Sequence, residues 1–273
     1  MEAKKLFDEK VVSYPSPIAL FGKEDVYFDE SFLVNFHLHP QAYDIVENFA
    51  LTNFYKFNPN KFPNGRHDVS NIVIAGAYWG CEIDIYLNLY PNCIVYAFEP
   101  VPEHYKKLHS RFGNNPRVKT FQKALSNKSG QDMMWTLDSE GQASLLKYQG
   151  HLFGSGTKPE LPIIVDTIRL DEVEDLKNKK IDFFQIDTQG AELMVLQGSS
   201  GYIHDINALM MEVHTRDHIH PADKEPYLNQ CYLEDLLLFF RNTDMFCWLV
   251  GLDNESGNGQ GNSFWFRSSE EQQ

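Results

Sequence analysis

Ile186-Asp187-Thr188-Gln189-Gly190-Ala191-Glu192, at the end of the mostly apolar run Ile181 to Ile186, is the stretch that decides the fold. A short apolar run of this kind reads as a strand buried on both faces, as in a parallel sheet. Its last residue, Asp187, then carries a carboxylate into the crevice at the carboxyl edge of the sheet. A helix is expected from Gly190 to Gln197, closed by Gly198. Burying a lone carboxylate is costly, so Asp187 needs partners. It serves either as the cap of that helix or as a cleft residue, and the two roles can coexist.

Upstream lie more units of the same kind. Ile72 to Ala77, Cys93 to Phe98 and Val118 to Gln122 read as strands. Between them Ile83, Tyr86, Leu87 and Tyr90 recur at helical spacing. Pro102 opens a second helix with Tyr105, Leu108 and Phe112 on one face. Strand–helix alternation predicts a parallel sheet with right-handed crossovers. Met133 to Leu137 and Ile163 to Val165 are short strands flanking a Gly/Ser-rich insertion, 138–159. Its neighbours Trp135, Tyr148, His151 and Phe153 are candidates to stack on a sugar ring. Downstream, Ala208 to His214 is a strand, and Leu233, Leu236, Leu237 and Phe240 mark the last helix. Met245 to Val250 and Ser263 to Arg267, around Gly257-Asn258-Gly259-Gln260-Gly261, read as a hairpin. The class is therefore α/β, mostly parallel, with a C-terminal antiparallel hairpin. Residues 1–70 lack this rhythm. They are expected to form a cap or lid with a helix near Pro40 to Lys56, preceding an α/β domain over 71–273.

Three groups carry candidate chemistry. Gly76-Ala77-Tyr78-Trp79-Gly80 lies between a strand and a helix, where glycine permits a sharp turn and close ligand approach. Glu99, in Phe98-Glu99-Pro100, ends the next strand, where a carboxylate grips ribose hydroxyls. The loop lacks the middle glycine of G-x-G-x-x-G, so a ligand without phosphates suits it better than a dinucleotide. Asp187, Gln189 and Glu192 form the second group. Glu212 and His214, two apart on one strand face, form the third. They read as a base with its orienter, as cation ligands with Asp187, or as part of a surface histidine cluster with His218 and His220. A metal needs three convergent ligands, and no metal is assigned.

Composition narrows the classes further. The formal net charge is −14 with no basic run, which argues against nucleic acid and anionic membranes as partners. Cys81, Cys93, Cys231 and Cys247 are scattered, without a CxxC pair, so reduced thiols and a cytoplasmic setting are expected. Met1 to Lys10 is charged and has no apolar core of a signal peptide.

Taken together, these pieces resemble the FkbM family of methyltransferases. The matching stretches are Gly76 to Gly80, Phe98-Glu99-Pro100, Ala124-Leu125-Ser126, Ile186 to Glu192 and Glu212-Val213-His214. Ile74, Tyr78 and Gln189 depart from the family's Asp, Asn and Glu. The resemblance implies a class-I, Rossmann-like methyltransferase sheet that binds S-adenosyl-L-methionine. It implies ribose binding by Glu99 with Pro100 beside it, a floor of Gly76, Ala77, Tyr78 and Gly80, and an adenine flank of Ala124, Leu125 and Ser126. Glu82 is expected to approach the ammonium, and Asp187 and Gln189 to stand near the methyl group. His214, Asp187 and Glu212 are the expected catalytic residues, with His214 the first choice of base for a small-molecule or glycan hydroxyl. A methyltransferase-fold binding module without catalysis is the alternative. A homo-oligomer is left open.

Overall fold

The structure is a computed structural model and describes residues 69–137, 141–149, 162–214, 226–252 and 260–267. The expected cap, with His37 and His39, falls outside these residues, as do His151, Phe153, His218 and His220. In chain order the elements are β1 (Asn71–Ala75), α1 (Ile83–Leu89), β2 (Ile94–Phe98), α2 (Pro102–Phe112), β3 (Val118–Phe121), β4 (Ala124–Leu125), β5 (Gly130–Thr136), β6 (Ala143–Ser144), β7 (Ile163–Ile168), β8 (Phe183–Ile186), α3 (Glu192–Gln197), β9 (Ala208–His214), α4 (Leu233–Phe240), β10 (Met245–Leu252) and β11 (Gln260–Arg267).

The main sheet has the order β10-β11-β9-β8-β1-β2-β3. β1 pairs in parallel with β2 on one side and β8 on the other, so the strand order reverses there. β11 is antiparallel to both β9 and β10, which makes the hairpin an insertion at the far edge. This is the class-I methyltransferase sheet. Central strands are apolar because both faces are covered: Ile72, Val73 and Ile74 of β1 and Phe184 and Ile186 of β8 are all fully buried. Trp265 of β11 is buried against Phe240 of α4 at 4.8 Å between ring centroids. Its indole N–H donates to Ser263 Oγ at 2.8 Å, so the ring enters the core with its polar atom satisfied.

A second sheet, of order β4-β7-β5-β6, is built from strands on either side of the Gly/Ser-rich insertion and from β6 within it. Val101, Ala124, Met134 and Val165 pack together beneath it. Expected strands are therefore longer here, β5 starting at Gly130 and β7 running to Ile168. Two boundaries differ elsewhere. Ile181 makes only an isolated bridge with Ile206, so β8 begins at Phe183. Gly190 and Ala191 belong to a turn, and α3 starts at Glu192. That turn holds Gln189 at φ 55° and Gly190 at φ 91°, outside helical geometry. Gln260 and Gly261, expected in the hairpin linker, lie in β11. Among the described residues no helix is long and apolar enough to cross a membrane. All four cysteines are free, Cys81 exposed and the other three buried.

Candidate functional site

Register places the chemistry. Ala75 lies opposite Phe98 and Ile186, and Ile186 lies opposite Met211. One residue further on, Glu99, Gly76, Asp187 and Glu212 form a row across four adjacent strands, the first three just past the ends of β2, β1 and β8 and Glu212 inside β9. This is the switch point where open α/β sheets bind ligands.

A cleft of about 170 Å³ opens over that row. Of the expected cofactor residues, Gly76, Tyr78, Glu82, Glu99, Pro100, Ala124, Leu125, Asp187 and Gln189 line it. Ala77, Gly80, Ser126, Glu212 and His214 do not. Gly80 instead makes room for α1 and α2: a Cβ there would lie 2.8 Å from Ile83, Leu108 and Phe112. Ser126 is fully buried, and its carbonyl receives Gly198, where a Cβ would approach to 1.9 Å. His104, Met134, Leu145 and Thr188 also line the cleft. Thr188 belongs to the Ile186–Glu192 block, while no motif marks the other three. His104 is there because Pro102 starts α2 directly after Glu99, and Met134 because β5 folds back over Val101.

Glu99 is 4% exposed, and each of its oxygens accepts one backbone N–H, from Tyr78 and from Val101, both at 2.8 Å. Those bonds hold the carboxylate at the rim and leave lone pairs on both oxygens. His104 Nδ1 stands 3.8 Å away. Tyr78 stacks on Trp79 at 4.5 Å and meets His104 edge-on at 4.7 Å, while Lys107 Nζ lies 3.7 Å over the Trp79 ring. Four non-glycine residues among those described have positive φ. Asn178 and Asn229 tolerate that region. The other two, Tyr78 and Gln189, both line the cleft, which is where backbone strain concentrates in functional sites.

Beyond β8 the turn is tied by carboxylates. Glu192, 1% exposed, accepts at Oε1 from the backbone N–H of Thr188 (3.0 Å) and Gly190 (3.1 Å) and from the Thr188 hydroxyl (3.1 Å). Its role is to fold the turn. Burial nonetheless outweighs these donors and pushes its carboxyl up to about 7. The folded state therefore keeps a proton that an unfolded glutamic acid releases near its ordinary value of 4.5. Stability is full below that value and declines as pH climbs from it through about 7. Glu192→Gln keeps an oxygen for the three donors without the charge. It is expected to remove a decline on the order of 3 kcal/mol, read as the difference between urea midpoints at pH 5 and pH 8. Equal slopes in the two proteins would refute the assignment.

Gln189 donates one amide nitrogen to both Asp187 Oδ1 (3.0 Å) and Glu212 Oε2 (2.8 Å). Both carboxyls thus accept from the same nitrogen, and burial raises Asp187 above the usual carboxylate range. His214 lies two residues beyond Glu212, buried and outside the cleft lining, and burial lowers its imidazole to about 4. A side chain that resists protonation this strongly is a poor proton acceptor at neutral pH. Among the described residues no group of three or more His, Cys, Asp or Glu is arranged to hold a metal.

The 2-O-methyltransferase NoeI of Sinorhizobium fredii (strain NBRC 101917 / NGR234) is 27% identical over 175 residues, covering 61% of this chain and 69% of that one. Among solved structures, a fibrillarin/Nop5p complex matches 84% of this chain and 83% of that one at TM-score 0.47 and 11% identity. Aeropyrum pernix fibrillarin with natively bound S-adenosyl-L-methionine matches 72% and 66% at TM-score 0.41 and 10% identity. The model of the methyltransferase FkbM domain matches residues 76–231. That span runs from the turn after β1 to the segment packed on Gly190, so the chain belongs to the FkbM methyltransferase family.

Proposed function

We propose that this protein transfers a methyl group from S-adenosyl-L-methionine to a hydroxyl oxygen of a small molecule or glycan. The observation that carries the reading is the charge of the cleft. Glu82, Glu99 and Asp187 line it, and among the described residues no Lys or Arg does. Such a cleft suits a ligand with positive charge and ribose hydroxyls but no phosphate, since phosphates seek clustered basic groups and exposed backbone N–H. The sulfonium cofactor meets that description, and a nicotinamide dinucleotide does not. The relative named as a 2-O-methyltransferase supports oxygen as the acceptor atom.

When bound, the cofactor supplies an activated methyl group. The chain's residues then bind and orient. Glu99 holds the ribose hydroxyls, Ala124 and Leu125 flank the adenine, Glu82 faces the ammonium, and Gly76 lets the backbone come close. Tyr78 closes one wall, its ring 3.6 Å from where a Cβ on Gly141 would sit. Calorimetric titration with S-adenosylmethionine, S-adenosylhomocysteine and NAD tests the reading. Heat from the two methyl-cycle ligands and none from NAD is expected. Heat from NAD alone, or from none of them, sinks it.

A further inference from the structure

We propose that Asp187 and Glu212 act as one acid–base unit holding a single shared proton, positioned by Gln189, and that this pair rather than His214 receives the acceptor's proton. The inference deepens the methyl-transfer reading and rests on it. Three geometric facts carry it. Asp187 lines the cleft, so one carboxyl of the pair faces the reacting groups. Parallel register sets Asp187 beside Glu212, one residue past the Ile186–Met211 pair. Gln189 then clamps both from one nitrogen, at 3.0 Å and 2.8 Å. Two carboxyls held against one nitrogen repel each other when both are charged, and one proton shared between them relieves that repulsion. Burial raises the Asp187 carboxyl, which agrees with a retained proton.

A second, independent feature points to the same place. Tyr227 is 1% exposed, and its hydroxyl has no hydrogen-bond partner among the described residues. Burial first, and then Glu212 with Tyr148, Glu192 and Asp187, raises this hydroxyl above the usual phenol range, so the acidic pair acts on it. Burying a hydroxyl without a partner is unfavourable. The arrangement is explained if the pair's proton moves during turnover and Tyr227 answers the changing charge.

The titratable groups acting with the pair are Glu192 of α3 and Tyr227, which packs with Tyr148 in one apolar cluster. Across the cleft are Glu82, Glu99 and His104. In the step, the acceptor oxygen forms its bond to the methyl carbon while the carbon–sulfur bond breaks. The acceptor's O–H proton passes to the charged member of the pair, the sulfur leaves as a neutral thioether, and the pair ends neutral with two protons. One proton then returns to water, and charge balances throughout. Gln189 does not touch the reacting atoms. It is a positioning residue, because an amide donor to both carboxyls keeps one of them charged and ready.

Two measurements on the full chain test this. The first is carbon-13 NMR of Asp- and Glu-carboxyl-labelled protein with S-adenosylhomocysteine bound, assigned with Asp187→Asn and Glu212→Gln. The two carboxyl carbons are expected to titrate together and to retain one proton at pH 7. Two independent carboxylates, both ionised at pH 7, overturn the proposal while leaving the cofactor reading intact. Failure of the wild type to bind S-adenosylhomocysteine overturns the methyl-transfer reading instead. The second is transfer from tritiated S-adenosylmethionine to a panel of methyl glycosides between pH 6 and 9. Asp187→Asn and Glu212→Gln are expected to lose about a hundredfold or more in rate, and Glu212→Gln, outside the cleft lining, to keep S-adenosylhomocysteine affinity within about threefold. Gln189→Asn, whose amide tolerates the same backbone but cannot span both carboxyls, is expected to shift the pH profile of transfer. A rate that collapses in His214→Gln but survives in Asp187→Asn and Glu212→Gln overturns the assignment. So does a panel on which the wild type binds cofactor and transfers nothing.

Discussion

Glu99→Ala is expected to weaken S-adenosylhomocysteine binding by a hundredfold or more while leaving the protein folded. The carboxylate is 4% exposed and already fixed by two backbone donors, so it meets the ligand in its binding geometry. Two hydrogen bonds from ribose hydroxyls to a carboxylate contribute about 1.5–3 kcal/mol each, and each 1.4 kcal/mol is roughly tenfold in affinity. The truncation acts a second time through the loop. Tyr78, held at φ 48°, loses the acceptor of its N–H and with it the restraint that stacks its ring on Trp79. Glu99→Gln should fall between, since its carbonyl still accepts one N–H but its amide opposes the other. Calorimetry with thermal unfolding as a control reads the result. An affinity within about threefold of the wild type, with the unfolding temperature unchanged, would refute the ribose role.

The row of site residues was legible because register follows from strand ends. Glu99, Gly76, Asp187 and Glu212 each stand just at or past an apolar run, and parallel strands align those ends. Glu192 was grouped with the cleft by its place in the block. The structure shows it turned back onto Thr188 and Gly190, a reversal that requires Gln189 and Gly190 at positive φ and leaves no periodic trace. His214 shares a strand face with Glu212, as alternation predicts, yet burial removes it from the cleft lining, and burial is a property of what packs on the strand. The second sheet went unread for a related cause. β4 and β6 are two residues each, too short to show alternation, and they exist only because β5 and β7 provide edges. His104 and Met134 reach the cleft through that packing and carry no local signal.

Gly76→Ala should cost both stability and cofactor binding, since two separate constraints meet at this residue. Its φ is 81°, a region in which a Cβ is strained. A Cβ there would also sit 1.9 Å from the Asp187 carbonyl oxygen. That neighbour is backbone and is itself fixed, because Asp187 N–H donates to Ala75 at 3.0 Å and Gly76 N–H donates to Phe98 at 3.1 Å. Relief requires β1 and β8 to part at the ends that shape the cleft. A loss on the order of 4 kcal/mol is expected, from strain and overpacking together. At about 2–4 °C per kcal/mol for a domain of this size, the unfolding temperature should drop by roughly 10 °C. Gly198→Ala separates the two effects. Its φ is ordinary at −75°, but its Cβ would lie 1.9 Å from the Ser126 carbonyl, outside the cleft lining. It should lower the unfolding temperature by a similar amount while keeping most of the affinity for S-adenosylhomocysteine, whereas Gly76→Ala should lose affinity even well below its own unfolding temperature. Equal retention of affinity by both variants would mean that the turn after β1 does not form the floor of the cofactor site.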